Sequence, residues 1–287
     1  MSFDFLISKI KNNNFLLIGR AGVDIYPDPP GTKTEKAEKY VTHLGGSSAN
    51  MGVQLSKYSG LCTLLTRVSN DALGRFVLNQ LDHYGINKNL IKFEDNESRI
   101  SFAIVETTLE DHQSIIYRHN ASDLFLNKSD IEKANIKNFE CILMTGTSLA
   151  AEPSRSAVLY ALDIAESNKI PVIMDIDYRP YTWESANKAE EIYNLASQKC
   201  SGIIGNDDEF GILAGSYNKG LDCAKKISSS CDLVIYKMGE KGSITFANNE
   251  EISRAIFPVK PLKPTGAGDA FMGSLIGALL KNYDLKK

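Results

Sequence analysis

The residues best suited to chemistry form a glycine-rich stretch near the C-terminus: Thr265, Gly266, Ala267 and Gly268, followed by Asp269. Apolar residues recur at helical spacing after it, at Phe271, Met272, Leu275, Ile276, Leu279 and Leu280. We therefore predict a buried helix that begins at this turn. The first amides of a helix have no intrahelical partners and attract anions, phosphates above all.

Asp269 would lie among those free amides. A carboxylate there could take a proton from an alcohol while the amides hold the negative charge of a phosphoryl group. The same residues also suit an acidic cap on a core helix, with glycines that allow close packing.

A second glycine pair precedes another helical pattern, in H-L-G-G-S-S-A-N-M-G-V-Q-L. Gly45 and Gly46 would let the backbone approach a ligand, and the amide of Asn50 can both donate and accept a hydrogen bond. The motif alone could equally be a helix cap that follows a loop.

Composition limits the class of protein. The 287 residues are 43% hydrophobic and 23% charged, which is ordinary for a globular protein and sufficient for one large α/β domain. The net charge of −3 argues against nucleic acid or an anionic membrane as the main partner. Five cysteines without a C-x-x-C pair indicate a reduced, cytoplasmic protein with no metal framework. The N-terminus lacks the apolar core of a signal peptide, so we expect none. We also expect no membrane helix, because no apolar run approaches ~18 residues.

Apolar runs alternate with helical patterns, which is typical of a parallel sheet covered on both faces. The predicted strands cover residues 15–18, 63–68, 98–106, 113–117, 141–144, 171–175, 203–204 and 233–237. The runs at 98–106 and 113–117 flank a polar turn and predict an antiparallel pair. One predicted helix covers 154–167, and another follows residue 68 with one apolar face: Leu73, Phe76, Val77 and Leu81.

Polar residues follow two of these strands. Asp175, Asp177 and Arg179 come at the end of 171–175, where parallel sheets bind ligands, although Asp177 and Arg179 could simply pair with each other. Asn206 and Glu209 follow 203–204, where acidic residues in a first helical turn would also be ordinary.

The motifs G-G-x-x-x-N, N-x-x-E, G-x-x-G and T-G-A-G-D occur in one order over nearly the whole chain. Together they resemble the ribokinase-like (PfkB) sugar kinases. The resemblance implies an α/β fold: one three-layer α/β/α domain over 1–287, with a mostly parallel central sheet and a small β-sheet lid from about 20–42 and 97–120. It also implies ATP and a sugar as small-molecule partners, with Mg²⁺ as cofactor.

The resemblance implies a role for each matching residue. Asp269 would be the catalytic base, and Gly266, Ala267 and Gly268 would form the anion hole. Substrate contacts are expected from Asp24, Gly45, Gly46, Asn50, Arg118, Asp177 and Arg179. Nucleotide contacts are expected from Asn206, Glu209, Lys237, Gly239, Gly242 and Thr265, with Glu209 holding Mg²⁺ through water. From the residues alone, Asp24 could be a turn residue, Arg118 a solvated surface arginine and G-x-x-G a plain hairpin turn.

The loops G-R-A-G-V-D-I-Y-P, D-I-D-Y-R-P-Y-T-W and L-K-P-T-G-A-G-D most resemble family members that phosphorylate a primary hydroxyl of a sugar acid. The alternatives are a kinase for another sugar acid or for fructose, and a non-catalytic sugar-binding protein of the same fold. An exposed lid strand could pair two subunits in a homodimer.

Two departures from the family pattern carry expectations of their own. Lys263 stands where many relatives have an acidic residue that helps bind a monovalent cation, which argues against cation activation. The chain also stops before the elements that usually complete the adenine side. We therefore expect either a truncated product or a more open nucleotide pocket.

Overall fold

The computed structural model describes residues 2–95, 97–108, 111, 113–259 and 266–286. These residues form a large sheet covered by helices and a smaller separate sheet. The helices are α1 (Phe3–Lys11), α2 (Ser47–Ser56), α3 (Ala72–His83), α4 (Lys128–Ala134), α5 (Ser154–Ser167), α6 (Ala186–Ser197), α7 (Asp207–Leu213), α8 (Gly220–Ser228) and α9 (Ala267–Leu280). The strands are β1 (Phe15–Ile18), β2 (Gly22–Asp28), β3 (Lys39–Gly45), β4 (Cys62–Ser69), β5 (Ile91–Glu94), β6 (Phe102–Val105), β7 (Ser114–Tyr117), β8 (Cys141–Thr145), β9 (Val172–Asp175), β10 (Gly202–Asn206), β11 (Leu233–Lys237), β12 (Ser243–Ala247) and β13 (Glu250–Arg254).

The large sheet has the strand order β13-β12-β11-β10-β9-β8-β1-β4-β5. The pairs from β11 through to β5 are parallel, and β12 and β13 add an antiparallel edge. The strand order reverses between β1 and β8, because the chain first builds outward to β5 and then returns to β8. Open α/β sheets bind ligands at the carboxyl ends of the strands beside such a point.

Apolar side chains are buried on both faces of this sheet, which confirms the predicted three-layer α/β class. Strand β1 shows the alternation that a two-sided core requires: Leu16 and Ile18 join one cluster, and Phe15 and Leu17 join the other. Helices α4 to α8 pack on the first face, and α1, α2, α3 and α9 pack on the second.

Helices α2 and α9 are in unusually close contact because α9 carries glycine where α2 is nearest. A Cβ atom on Gly273 would lie 2.6 Å from the Met51 carbonyl oxygen, and one on Gly277 would overlap the ring of Tyr58. Gln54 also donates a hydrogen bond of 2.8 Å to Ser274 across the same contact. This packing fixes the start of α9 relative to α2.

The small sheet has the order β3-β2-β6-β7. The predicted antiparallel pair is present as β6 and β7. Strand β3 and the parallel pairing of β2 with β6 were not predicted. Only three residues, 19–21, separate β1 from β2, and Gly46 alone separates β3 from α2.

Two parts of the structure differ from the sequence predictions. Leu73 is 40% exposed, so its assignment to the apolar face of α3 was wrong. Gly74 lies on the buried face instead, where an added Cβ would overlap the Ser69 carbonyl oxygen. Helix α1 was missed, although Leu6 and Ile10 are buried at a spacing of four residues. No helix in the described ranges is both long enough and apolar enough to cross a bilayer.

We expect Gly273→Ala to destabilise the protein by about 1–3 kcal/mol, because the added methyl group would overpack the contact between α2 and α9. Helix propensity alone predicts the opposite sign, a gain of about 1 kcal/mol. Denaturant unfolding would measure the change. Gly268→Ala is the matched control on the same helix, since its nearest contacts would be an ordinary 3.7 and 3.8 Å. A Gly273→Ala protein as stable as its parent would contradict this account of the packing.

Candidate active site

Charged and polar residues gather at the carboxyl ends of the parallel strands. Arg20 follows β1, Asp175 ends β9, Asn206 ends β10 and Lys237 ends β11. Asn206 is in register with Lys237, and Ile204 with Asp175, so these ends lie side by side. The site therefore lies at the carboxyl ends of the strands, beside the point where the strand order reverses.

Helix α9 begins at this edge. Gly266 is its N-cap, with a left-handed φ of +79° that glycine adopts without strain. The amides of Ala267, Gly268 and Asp269 belong to the first turn, whose N–H groups have no intrahelical acceptors. The atoms closest to a Cβ on Gly268 would be Lys237 Nζ and Asp175 Oδ2. The first turn of α9 therefore lies beside the ends of β9 and β11. Thr265, also predicted for the site, lies outside the described residues, as does Lys263.

Asp269 accepts a hydrogen bond of 3.0 Å from the side-chain amide of Asn50. Asn50 is held in the first turn of α2, where its own N–H donates to the Gly46 carbonyl oxygen at 2.9 Å. Gly46 has φ +94°, and a Cβ there would lie 2.5 Å from the Arg20 carbonyl oxygen. The second glycine motif therefore brings Asn50 to Asp269, 219 residues further along the chain.

The Asp269 carboxyl group lies in an environment that disfavours its charge. Burial raises its pKa to about 7, and the charge of Asp177 adds to that rise. The Asn50 hydrogen bond and the positive charge of Arg20 act in the opposite direction. A carboxyl group with a pKa near neutrality is suited to exchanging protons with a ligand.

Three more buried carboxyl groups, those of Asp175, Asp177 and Glu209, lie in the same cluster. Burial raises the pKa of Glu209 to about 7, and Asp175 contributes to the shift. Lys237 Nζ lies 3.4 Å from Asp175 Oδ1. Burial lowers the pKa of Lys237, but the charges of Asp175 and Glu209 outweigh that effect and raise it. Asp177 is paired with Arg179, but Lys237 alone does not balance Asp175 and Glu209, so this part of the cluster favours an additional cation.

Asn206 and Glu209 form a capping box at the start of α7. Asn206 Oδ1 accepts from the Glu209 amide at 2.9 Å, and Glu209 Oε2 accepts from the Asn206 amide at 2.7 Å. These two residues therefore form an ordinary helix N-terminus, which was the alternative that their sequence pattern allowed. Within the described residues, no group of three or more His, Cys, Asp or Glu side chains could hold a metal ion. Mg²⁺ needs less than that from protein, because it keeps waters and binds substrate phosphates. The carboxylate excess around Glu209 fits such an ion.

Asp24 belongs to β2 of the small sheet and not to a turn, and it is buried beside the first glycine of the pair. A Cβ on Gly45 would overlap the Asp24 carboxylate. The pKa of Tyr26 is well above its usual value because of burial and because of the charge of Asp24, to which it is hydrogen-bonded. The first strand of the small sheet thus carries a carboxylate close to the turn before α2.

The two predicted arginines are both paired with carboxylates. Arg179 Nη2 lies 2.6 Å from Asp177 Oδ1, and Ser47 Oγ donates to Asp177 Oδ2 at 2.5 Å. Arg118 is buried rather than solvated: its Nε and Nη2 donate to Asp123 Oδ2 at 3.0 and 2.5 Å. Its Nη1 donates to the Thr147 carbonyl oxygen at 2.9 Å.

Gly239 and Gly242 form the connection between β11 and β12, directly after Lys237. Both have positive φ values, +56° and +89°. The Met238 amide donates to the Gly242 carbonyl oxygen at 2.8 Å, which closes a hairpin. The G-x-x-G motif is therefore a hairpin turn, and it lies next to the carboxyl end of β11.

Sequence reasoning missed Arg20, Ser47 and Asp123. Arg20 had a usable signal, because it follows the end of a predicted strand in the same way as Asp177 and Arg179 do. Ser47 had none, because its partner Asp177 is 130 residues away. Asp123 is only five residues from Arg118, but no motif or periodicity specifies that pair.

A cavity of about 720 Å³ lies between strand β7 of the small sheet and the segments that follow β8 and β9. Arg118, Tyr181 and Thr182 are among the residues that line it. A second cavity of about 590 Å³ is lined by Arg179, Asn206 and Glu209. The second cavity therefore opens at the end of β10, and the first opens beside the small sheet.

Comparison with known proteins supplies independent information. Residues 12–287 match the family described as pfkB family carbohydrate kinase. The chain is 32% identical over 280 residues to a 5-dehydro-2-deoxygluconokinase from Geobacillus kaustophilus, covering 96% of this chain and 84% of the relative.

Two solved structures are similar to the whole fold. One is a fructokinase double mutant from Vibrio cholerae O395 in a form bound to fructose, ADP and potassium ion. Its TM-score is 0.80 and its identity 25%, covering 96% of this chain and 86% of that one. The other is an uncharacterized sugar kinase from Pyrococcus horikoshii in complex with ATP, with a TM-score of 0.81, 20% identity, and coverage of 94% and 86%.

We expect the Asp269 carboxyl group to titrate near pH 7 in the ligand-free protein, as followed by its carboxyl carbon in NMR. Asn50→Leu should raise that pKa further, because the lost hydrogen bond stabilises the ionised form. Gln54→Leu is the matched control, since it breaks another hydrogen bond between the same helices without touching Asp269. A titration near pH 4 in the parent protein would contradict the environment described for Asp269.

Proposed function

The chain belongs to the pfkB family of carbohydrate kinases, and we propose that it transfers the γ-phosphoryl group of ATP to a primary hydroxyl of 5-dehydro-2-deoxy-D-gluconate, a step of inositol catabolism. A phosphotransferase acting on a sugar follows from the family itself. The observation that carries the proposed chemistry is the half-buried Asp269 in the first turn of α9, beside Lys237. The sugar acid is supported by relatives with that activity in their names.

The proposed base is Asp269. The substrate hydroxyl oxygen attacks the γ-phosphorus, and the bond from that phosphorus to the bridging oxygen of ADP breaks. The hydroxyl proton passes to the Asp269 carboxylate and from there to solvent. Only the ionised carboxylate accepts a proton, so its capacity to act as a base falls as the pH drops through the pKa of about 7.

The amides of Gly266, Ala267 and Gly268 are proposed to hold the charge of the transferring group. Lys237 lies beside Gly268 and adds a full positive charge at the same place. Phosphoryl transfer depends mainly on positioning and charge stabilisation, and fixed dipoles in a buried site supply both without reorganisation.

Mg²⁺ is proposed near Glu209, with water between them, and Asn206 keeps the Glu209 carboxylate in place through the capping box. When bound, the ion would neutralise the phosphate oxygens of the nucleotide. The hairpin at Gly239 and Gly242 is proposed to contact the nucleotide next to Lys237.

Asp24, Gly45, Gly46 and Asn50 are proposed to position the sugar. Asp24 and Asn50 supply polar groups, and the two glycines let the backbone come close. Asp177, Arg118 and Arg179 line the approach, and each arginine keeps N–H groups outside its ion pair. The small sheet, at about 20–42 and 97–120, is proposed to act as the lid.

A cytoplasmic homodimer joined through the lid is also proposed. Large apolar residues are exposed on the two edge strands of the small sheet: Tyr40, Val41, Ile115 and Tyr117. Edge strands with such residues favour pairing with another chain. Sedimentation velocity would test the dimer, and a monomer at micromolar concentration would contradict it.

The substrate proposal is tested by coupled ADP release with Mg-ATP and a panel of three sugars. We expect the highest kcat/KM with 5-dehydro-2-deoxy-D-gluconate, compared with 2-dehydro-3-deoxygluconate and fructose. Turnover of another sugar alone would keep the kinase and reject the substrate. If a folded protein binds sugar in calorimetry but releases no ADP with any of them, the enzymatic proposal itself is wrong.

Asp269→Asn should lower kcat by at least about 10²-fold on the best substrate, since general-base catalysis typically contributes 10²–10⁴-fold. Sugar binding by calorimetry should be largely kept, because the amide has the same shape. Asp222→Asn is the control, an exposed aspartate in the first turn of α8. Near-normal turnover in the Asp269 variant would remove Asp269 from the role of base.

A further inference from the structure

Arg20 is buried just after the end of β1. The loop G-R-A-G-V-D-I-Y-P contains it, but neither the predicted site residues nor the proposed mechanism includes it. Its residue is 9% exposed, and its Nε and Nη1 atoms are buried with no hydrogen-bond partner among the described residues. A guanidinium group stays protonated in proteins, so this is a buried positive charge. Burying an ion costs several kcal/mol unless it is paired.

The contrast with the neighbouring arginines is direct. Arg118 is as buried as Arg20, yet it donates two hydrogen bonds to Asp123 and one to a carbonyl oxygen. Arg179 forms an ion pair with Asp177. Of these three arginines, Arg20 is the one with buried nitrogen atoms, Nε and Nη1, that have no acceptor among the described residues. The missing acceptor is expected to come from a ligand.

The surroundings of Arg20 show where that ligand would lie. The Ala49 amide donates a hydrogen bond of 3.3 Å to the Arg20 carbonyl oxygen, and a Cβ on Gly46 would lie 2.5 Å from the same oxygen. Arg20 is therefore held against the turn that carries Gly46 and Asn50, two of the residues proposed to position the sugar. Its positive charge also opposes the rise in the pKa of Asp269.

We propose that Arg20 binds the carboxylate of the substrate and so selects sugar acids over neutral sugars. This inference rests on the proposed function and names the residue that would enforce it. A carboxylate matches the forked N–H groups of arginine and would supply the missing acceptors.

A phosphate oxygen of ATP is the other anion that could reach the site. The nucleotide contacts proposed above lie at the ends of β10 and β11. Strands β8 and β9 separate these from β1, which places the end of β1 roughly 14 Å from the end of β10 and roughly 19 Å from the end of β11, at ~4.8 Å per strand. The position of Arg20 on the side of the small sheet favours the sugar.

The test compares the sugar acid with its carboxamide, which keeps every hydroxyl and removes the charge. In the parent protein, kcat/KM should favour the acid. In Arg20→Met this preference should fall by roughly 10–100-fold, the range for a lost hydrogen bond to a charged group, mainly through KM for the acid. The KM for ATP should not change. Arg75→Met, an exposed arginine on α3, is the matched control.

Thermal unfolding without ligand separates binding from folding. Arg20→Met should keep or raise Tm, because it removes an uncompensated buried charge. Arg118→Met should lower Tm, because it leaves Asp123 without its partner. If Arg20→Met does not fold, Arg20→Lys and Arg20→Gln are compared, and the preference for the acid should decrease in that order.

The outcomes distinguish the two proposals. A parent protein that turns over only fructose overturns both the proposed function and the role of Arg20. If the parent turns over the sugar acid but Arg20→Met keeps the full preference for acid over amide, only the inference about Arg20 is overturned. An equal loss on both sugars with a raised KM for ATP would assign Arg20 to the phosphoryl group and would also overturn it.

Discussion

The site depends on how closely α9 can approach α2. Asp269 lies in the first turn of one helix and Asn50 in the first turn of the other, and Gly273 lets the two backbones come close enough for their hydrogen bond. The close contact is made one helical turn after Asp269, against the carbonyl oxygen of Met51. A residue with no polar atoms in its side chain thus controls the geometry of the carboxylate.

Positive and negative charges are distributed unequally among the carboxyl ends of the strands. Around Lys237, carboxylates outnumber positive charges. The pKa values of Asp269 and Glu209 rise to about 7 because of burial and the negative charges of Asp175 and Asp177. At Arg20 the imbalance is reversed, because two buried guanidinium nitrogen atoms have no acceptor in the described part of the chain. In the proposed function, a metal ion with its nucleotide would correct the first imbalance and an acidic sugar the second. Buried groups with perturbed charges are typical of functional sites for this reason.

Much of this arrangement could be predicted from sequence. Short-range patterns predicted the α/β class, most of the large sheet and the start of α9, because periodicity and glycine placement are local properties. The order of the motifs predicted the family. The strand-end rule selected Asp175, Asp177 and Arg179, and the structure places them together. The same rule, applied to the first strand, would have selected Arg20.

The features that could not be predicted depend on tertiary packing. The pairing of Arg118 with Asp123, and of Ser47 with Asp177, is decided by how loops pack after the sheet has formed. Leu73 fits an apolar helical face by periodicity, but the tight approach of Gly74 to Ser69 turns the helix so that Leu73 faces solvent. Strand β3 was not found because its apolar residues, Tyr40, Val41 and Leu44, do not alternate with polar ones as in a half-buried strand.

The short connections of the small sheet have a mechanical consequence. Residues 19–21 join β1 to β2, and Gly46 alone joins β3 to α2. Arg20 lies in the first connection, and Asp24 lies just beyond it on β2. A ligand held by both side chains would cross-link the two sheets at the point where the backbone joins them. Occupancy of the site would then determine the stiffness of the joint between the two sheets, so that the bound sugar becomes part of the framework that holds the small sheet in place.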